Sequence, residues 1–249
     1  YLKQIVAEGA ITADKAKEIE DKYNQFLEDQ HQISKQNDRA IVWDFLKTTW
    51  EGYRHGKAED FVKSIETGVD KSQLEQLGHK LATLPEGKKY FRKIAKIFED
   101  RLNSVKDNRL DWGTAEMLAY SSLLVEGHPV RLSGQDVERG TFSHRHAVVK
   151  TEETEEEIVT LNLLAEKQAS FSVYNSLLSE YGVLGFEYGY SLATPQGLTI
   201  WEAQFGDFFN GAQIVVDQFI TAGEDKWSTQ SGLVMLLPHG YEEIGRAHV

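Results

Sequence analysis

The chain has 249 residues, of which 41% are hydrophobic, 27% charged and 11% aromatic, enough for a globular core and incompatible with a disordered chain. It contains no cysteine, which excludes disulfides, thiolate chemistry and cysteine-ligated zinc. A net charge of -12 argues against a nucleic-acid partner, and no apolar run approaches the roughly 20 residues of a membrane span. The charge is uneven. Residues 1–108 carry 19 Lys/Arg against 19 Asp/Glu, and residues 109–249 carry 8 against 20, which sets a boundary near Asp107-Asn108. Tyr1 opens inside a helical pattern without a signal-peptide layout, so the chain is expected to be a piece of a longer protein.

In residues 1–30, Leu2, Ile5, Val6, Ile11, Ala16, Ile19, Tyr23 and Phe26 recur mostly every three to five positions, which predicts amphipathic helix. Trp43 to Arg54 holds Trp43, Phe45, Trp50 and Tyr53 and is either a packing segment or a loop. Asp70-Lys71-Ser72 starts a helix with Leu74, Leu77 and Leu81 on one face. Pro85-Glu86-Gly87 interrupts it, and Lys88 to Val105 returns to helix. His31, His55 and His79 are far apart in sequence and read as surface or packing residues.

Asp111 predicts an N-cap for a helix to Glu126, with a stripe of Trp112, Ala115, Leu118, Ala119 and Leu123. Strands are predicted at Val130–Leu132, Phe171–Tyr174, Leu198–Glu202 and Leu233–Leu237, and helices at Glu180–Ala193 and Asn210–Ala222. Such alternation points to an α/β fold with a parallel sheet covered on both faces. Ligands of such sheets bind beyond the carboxyl ends of the strands. That selects Ser133–Thr141, Leu177–Glu180, Gln204–Asn210 and Pro238–Tyr241. The acidic run Glu152 to Glu157 reads as a solvated loop. His144-Arg145-His146 would put two imidazoles on one side of a strand, with no third ligand at metal-binding spacing. Neither G-x-G-x-x-G nor G-x-x-x-x-G-K-[ST] occurs.

Six ordered blocks carry a resemblance: Arg131-Leu-Ser-Gly-Gln-Asp136, Arg139-Gly-Thr-Phe-Ser-His-Arg-His146, Leu178-Ser-Glu-Tyr181, Gly185-Phe-Glu-Tyr-Gly-Tyr190, Trp201-Glu-Ala-Gln-Phe-Gly-Asp-Phe208 and Leu236-Leu-Pro-His-Gly-Tyr-Glu242. Together they resemble the 2-oxoglutarate dehydrogenase first component, a thiamine-diphosphate enzyme. The resemblance implies a helical linker over 1–108 and part of a transketolase-like pyrimidine-binding domain over 109–242. It also implies that Mg2+, which holds the diphosphate, is bound by a preceding domain, so no metal ligand is assigned to this chain. The expected activity is oxidative decarboxylation of 2-oxoglutarate with succinyl transfer to the lipoyl group of a dihydrolipoyl succinyltransferase. A homodimer in the bacterial cytoplasm, or in the mitochondrial matrix, is expected with it. The alternatives are another thiamine-diphosphate enzyme, a 2-oxo-acid decarboxylase or a transketolase, or a scaffold or interface module if this piece stands alone. Residues 243–249, Glu-Ile-Gly-Arg-Ala-His-Val, depart from the family and match the in-frame translation of a common short-read sequencing adapter. They are expected to be non-native.

The resemblance assigns Glu180 as the carboxylate beside the far ring nitrogen of the aminopyrimidine, where a shielded acid relays a proton. Without it, Glu180 reads as a helix-start carboxylate favoured by the dipole. Phe205 is assigned to stack on the pyrimidine, with Phe208 or Phe209 completing the wall; bare periodicity leaves all three as core. His239 is assigned to the active site, where an imidazole binds a forming oxyanion or shuttles a proton; otherwise it is a loop histidine. His144 and His146 are candidates for the site's rim or a subunit interface. Gln135, Asp136 and Arg139 lie in a loop near the site, and an internal Asp–Arg pair is the simpler reading. Glu187 reads as a structural partner, and Asp207 and Asn210 as loop or capping groups.

Overall fold

The computed structural model describes residues 1–36 and 46–240. Trp43, Phe45, Tyr241 and the expectation for 243–249 lie outside the described residues. The chain forms two compact units, Tyr1–Phe45 and Leu46–Val249.

The first unit holds α1 (Leu2–Ala7) and α2 (Ala13–Lys35), so the helical period of residues 1–30 is divided. Gly9, at a φ of +73°, turns the chain out of α1, a conformation that glycine adopts without a Cβ clash. Thr12 caps α2 by accepting a hydrogen bond from the Lys15 amide at 3.1 Å. Ion pairs such as Lys17–Asp21 at 2.9 Å line its polar face. Ile19, Tyr23 and Phe26 are exposed.

In the second unit the Trp50–Tyr53 stretch is a loop that packs. The Trp50 indole donates to the Leu192 carbonyl at 2.8 Å and the Tyr53 hydroxyl to the Pro195 carbonyl at 3.2 Å. Next come α3 (Lys71–Leu81) and α4 (Arg92–Lys106). The second of these starts later than the predicted Lys88, because Tyr90 is held extended in an antiparallel bridge to Thr151. In α5 (Trp112–Val125) the Asp111 carboxylate accepts from the Thr114 amide at 2.7 Å, as its N-cap position predicts. The predicted stripe is corrected at two positions: Trp112 is 92% exposed and Ala119 is exposed. The buried set, including Met117, Leu118, Tyr120 and Leu124, wraps further round the helix because α5 lies between the sheet and α3.

The strands in chain order are β1 (Val130–Gly134), β2 (Val148–Lys150), β3 (Glu157–Val159), β4 (Phe171–Asn175), β5 (Leu198–Glu202) and β6 (Leu233–Leu236). Four of them form one sheet in the order β4-β1-β5-β6, every neighbouring pair parallel. Side chains alternate between its faces, as a pleat requires. Val130, Leu132 and Ile200 pack with α3 and α5, while Trp201 packs with Val183 and Leu184 of α6 (Glu180–Ala193). Burial on both faces explains strands that read as apolar runs. Strands β2 and β3 pair antiparallel beside α4, sharing a core of Phe98, Val149 and Ile158. Their connecting turn carries the acidic run, held at the surface by pairs such as Lys150–Glu157 at 2.8 Å.

Two further expectations are corrected. Residues 144–146 are not a strand. The amides of Arg145 and His146 both donate to the Arg139 carbonyl at 3.0 Å, which curls the segment, and β2 begins only at Val148. The predicted helix Asn210–Ala222 is a 3-10 helix Gly206–Ala212, a turn Gln213–Val215, a π-turn Val216–Ile220 and a short helix Gly223–Trp227. Among the described residues no helix is long and apolar enough to cross a membrane.

Candidate functional site

Register aligns the carboxyl ends of the strands: Gly134 lies beside Asn175 and Glu202, and Glu202 beside Leu236. From β1 the chain crosses first to β4 on one side and later to β5 and β6 on the other. The direction of winding reverses between β1 and β5, where open parallel sheets form their binding crevice. Gly134 is needed at that point. It has a φ of +156°, and a Cβ there would lie 2.1 Å from the Glu202 carbonyl oxygen.

Glu180 opens α6 beside this crevice and is half-buried. The Gln135 amide donates to its Oε1 at 3.3 Å. Its Oε2 faces Gly211, where an added Cβ would stand 3.4 Å away. Among the described residues, no other side chain or amide donates to this carboxylate. Glu187, two turns on, is 1% exposed and belongs to the scaffold. The Arg131 guanidinium reaches it at 2.8 Å and the Ser133 hydroxyl donates to it at 2.8 Å. Arg131 in turn lies 4.6 Å from the centre of the Tyr190 ring and 4.7 Å from that of Tyr174.

Phe205 sets its ring edge-on to Phe208 at 5.7 Å and to Phe142 at 5.9 Å. Phe209 packs instead against the buried cluster of Val183, Leu184 and Trp201. The Gly206 amide donates to the Pro238 carbonyl at 2.7 Å, and a Cβ on Gly206 would lie 2.8 Å from the Leu237 oxygen. This contact ties the Phe205 turn to the segment that carries His239. His239 is exposed at the mouth of a cavity of about 470 Å³, lined also by Trp112, Glu116, Phe142, His144 and Glu202.

The floor of that cavity is a charge network that sequence spacing did not reveal. Arg145 is fully buried; it binds Glu116 at 2.7 Å, the Val137 carbonyl at 2.9 Å, and both carboxylate oxygens of Glu202. Burial opposes its charge, but the hydrogen bonds it donates to Glu202 and Glu116 hold its pKa above the ordinary value. Glu116, His144 and Glu202 bring ligand-type atoms within 4.8 Å of one another, yet Arg145 already occupies both carboxylates. Burial pushes the His144 imidazole below its usual pKa, with the Arg145 charge adding to it. His146 is pushed down likewise, by burial first and then by Arg101, Arg139 and Lys93. Asp136 and Arg139 form the internal pair, with the Arg139 Nε 3.1 Å from Oδ2. Asp207 lies in the first turn of the 3-10 helix, and among the described residues one of its carboxylate oxygens is buried without a partner.

The arrangement offers a half-buried carboxylate at a helix start, an aromatic turn beside it and two histidines round a cavity. It suits a flat, nitrogen-containing ring with a proton to be held at one ring atom. Arg145 and Glu202 escaped sequence reasoning because their pairing spans 57 positions.

Residues 108–249 match the family described as transketolase, pyrimidine binding domain. The chain is 46% identical over all of its 249 residues to a protein of Caenorhabditis elegans named 2-oxoglutarate dehydrogenase, mitochondrial, and covers 24% of it. Identity and coverage are the same, 46% and 24%, for the like-named protein of Caenorhabditis briggsae. It is 45% identical over its whole length to the 2-oxoglutarate dehydrogenase E1 component of Brucella ovis, covering 25%. The chain thus spans about a quarter of the length of the curated relatives it matches.

Proposed function

The chain belongs to the transketolase pyrimidine-binding domain family, and from that premise we propose that it holds the pyrimidine end of thiamine diphosphate in a 2-oxoglutarate dehydrogenase first component. Identity of 45–46% along the entire chain to proteins of that name supports this over a transketolase or a non-oxidative decarboxylase. The observation that carries the site is Glu180, whose Oε1 accepts from Gln135 while, among the described residues, no donor reaches Oε2. The residues fit the pyrimidine end of the cofactor in type: Gly211 sets no side chain against that oxygen, where an added Cβ would stand 3.4 Å away, and the half-buried Phe205 ring stands in the next turn.

When bound, thiamine diphosphate supplies the electron sink for loss of carbon dioxide from the 2-oxo acid. Glu180 would hold and pass a proton at the far ring nitrogen of the pyrimidine. Phe205 would lie against the ring, with Phe208 at its edge and Phe209 anchoring the turn in the core. His239 would serve the substrate side, binding the forming oxyanion or shuttling a proton. Residues 1–108 form the linker and 109–242 the cofactor-binding domain in this reading, a division supported by the family match from residue 108. Mg2+ and the diphosphate would be held by parts of the protein outside this chain. The partner is a lipoylated succinyltransferase, and the working form is a homodimer. A bacterial source would place it in the cytoplasm, a eukaryotic one in the mitochondrial matrix.

The test is succinyl transfer from 2-oxoglutarate to a lipoylated acceptor by the full-length protein. Transfer to the acceptor is expected; release of free aldehyde as the main product would favour the decarboxylase instead.

A further inference from the structure

We propose that Gln135 is the positioning residue for Glu180: its side-chain amide fixes the carboxylate through Oε1 and so aims Oε2 at the ring nitrogen. This deepens the preceding reading and rests on its assignment of Glu180.

The backbone holds Gln135 in place from both sides. The Gly134 carbonyl accepts the Ser176 amide at 2.7 Å, which ties the end of β1 to the loop after β4. On the other side Gly134 presses against the Glu202 carbonyl, where only a residue without a Cβ fits. Gln135 is therefore delivered by two neighbouring strands to the start of α6, and its Nε2 lies 3.3 Å from Glu180 Oε1. Ser179, the residue preceding the helix, contributes no side-chain cap. A carboxylate at a free helix start turns about its last bond, so both oxygens sample the same position. A donor on one oxygen removes that equivalence and fixes the plane of the group. Gln135 donates without being able to take the proton, which leaves proton traffic to Oε2. A hydrogen bond to a carboxylate favours its charged form over its protonated one.

The experiment uses the full-length enzyme and two readouts. The first is proton uptake when thiamine diphosphate and Mg2+ bind, measured by calorimetry in buffers of different ionisation enthalpy. The second is hydrogen–deuterium exchange at the thiazolium carbon of the bound cofactor across pH. Gln135→Met keeps the length and removes the donor; Gln135→Glu keeps the size and adds a repelling carboxylate. For Gln135→Met we expect exchange slower by about tenfold and a proton-uptake midpoint higher by about one pH unit, the scale of one hydrogen bond to a charged group. Gln135→Glu should move the midpoint further in the same direction. Glu180→Gln should abolish the uptake step, and adding Gln135→Met to it should slow exchange no further.

Normal exchange in Glu180→Gln would overturn the assignment of Glu180 itself. Slow exchange in Glu180→Gln, with both Gln135 variants unchanged in exchange and midpoint, would overturn the role of Gln135 alone. A loss of cofactor affinity or slowed exchange in the Gln135 variants without a shifted midpoint would also overturn it, because that is the mark of a merely structural residue.

Discussion

Arg145 sits with two carboxylates at the end of β5, a fully buried cation whose partners come from α5 and from the strand itself. Removing it would leave the buried Glu202 and the partly buried Glu116 without their cation, and breaking a buried pair in this way costs about 3–5 kcal/mol. Arg145→Met should therefore lower stability by that order, read as an earlier urea midpoint at pH 7. His144 and His146 make a separate prediction about pH. Both have folded-state pKa values below the unfolded value of about 6.5. The unfolded chain thus binds more protons, so their contribution is complete above pH 6.5 and is lost as pH falls through the folded values. Urea midpoints should drop on acidification below about 6.5, and the pair His144→Gln with His146→Gln should flatten the curve there. An unchanged slope in that double variant would mean other groups control the acid limit. His239 is exposed at the cavity mouth, outside this buried set. His239→Ala in the full-length enzyme should slow substrate turnover by about 10²–10⁴-fold while exchange at the thiazolium carbon stays near normal.

Among the elements, the turn Gly206–Ala212 joins the aromatic wall to the last strand. Gly206 is pressed against backbone oxygens of Leu237 and Pro238, the nearest 2.8 Å from where a Cβ would stand. Backbone cannot yield as a side-chain tip can, so Gly206→Ala should cost about 1–3 kcal/mol and displace Phe205. Weaker cofactor binding by the full-length enzyme, measured by calorimetry, is the expected readout. Legibility in the sequence follows the same line between local and distant causes. The strand Leu198–Glu202 and the helix Glu180–Ala193 have the bounds that sequence alone predicts, because apolar run length and an acidic helix start are local signals. Asp111 capping α5 is local in the same sense. The curl at 144–146 is not, since it depends on Arg139 accepting two amides and on Arg145 finding Glu202 across the fold. Trp112 reads as core by spacing, yet it faces solvent at the cavity, because periodicity gives a face of the helix and not where that face ends. The strand ends pointed to the segments that hold Glu180, Phe205 and His239, and the ordered family blocks alone gave each a role; the Gln135 contact needed the strand ends to be aligned.

At the scale of the whole molecule, the outer surface of α6 and the loop before it carry several exposed apolar side chains. Leu177, Leu178, Tyr181 and Phe186 are all at least half exposed, and Gly189 has open space where a side chain would stand. Leu177, Leu178 and Tyr181 adjoin Glu180 in the chain, so a second copy seated here would also cover the start of α6. A contiguous apolar patch of this kind marks an interaction surface. We predict that the 249-residue chain produced alone associates through this surface, and that Phe186→Glu weakens association by at least tenfold. The estimate takes about 1.5–3 kcal/mol for burying a phenyl group and adds the cost of leaving a carboxylate facing apolar side chains. Arg131 packs beneath Phe186 at 5.3 Å and stays paired with Glu187, so the fold should survive the substitution. Sedimentation over a range of concentrations reads the outcome, with the circular-dichroism spectrum as the check on folding. A parent chain that stays monomeric at high concentration would remove α6 as the dimer face. The same preparation bears on the cofactor: without the diphosphate-holding parts, thiamine diphosphate should bind it only weakly even when associated. Magnesium-dependent micromolar binding in calorimetry would show that this chain carries more of the site than Glu180, Phe205 and His239.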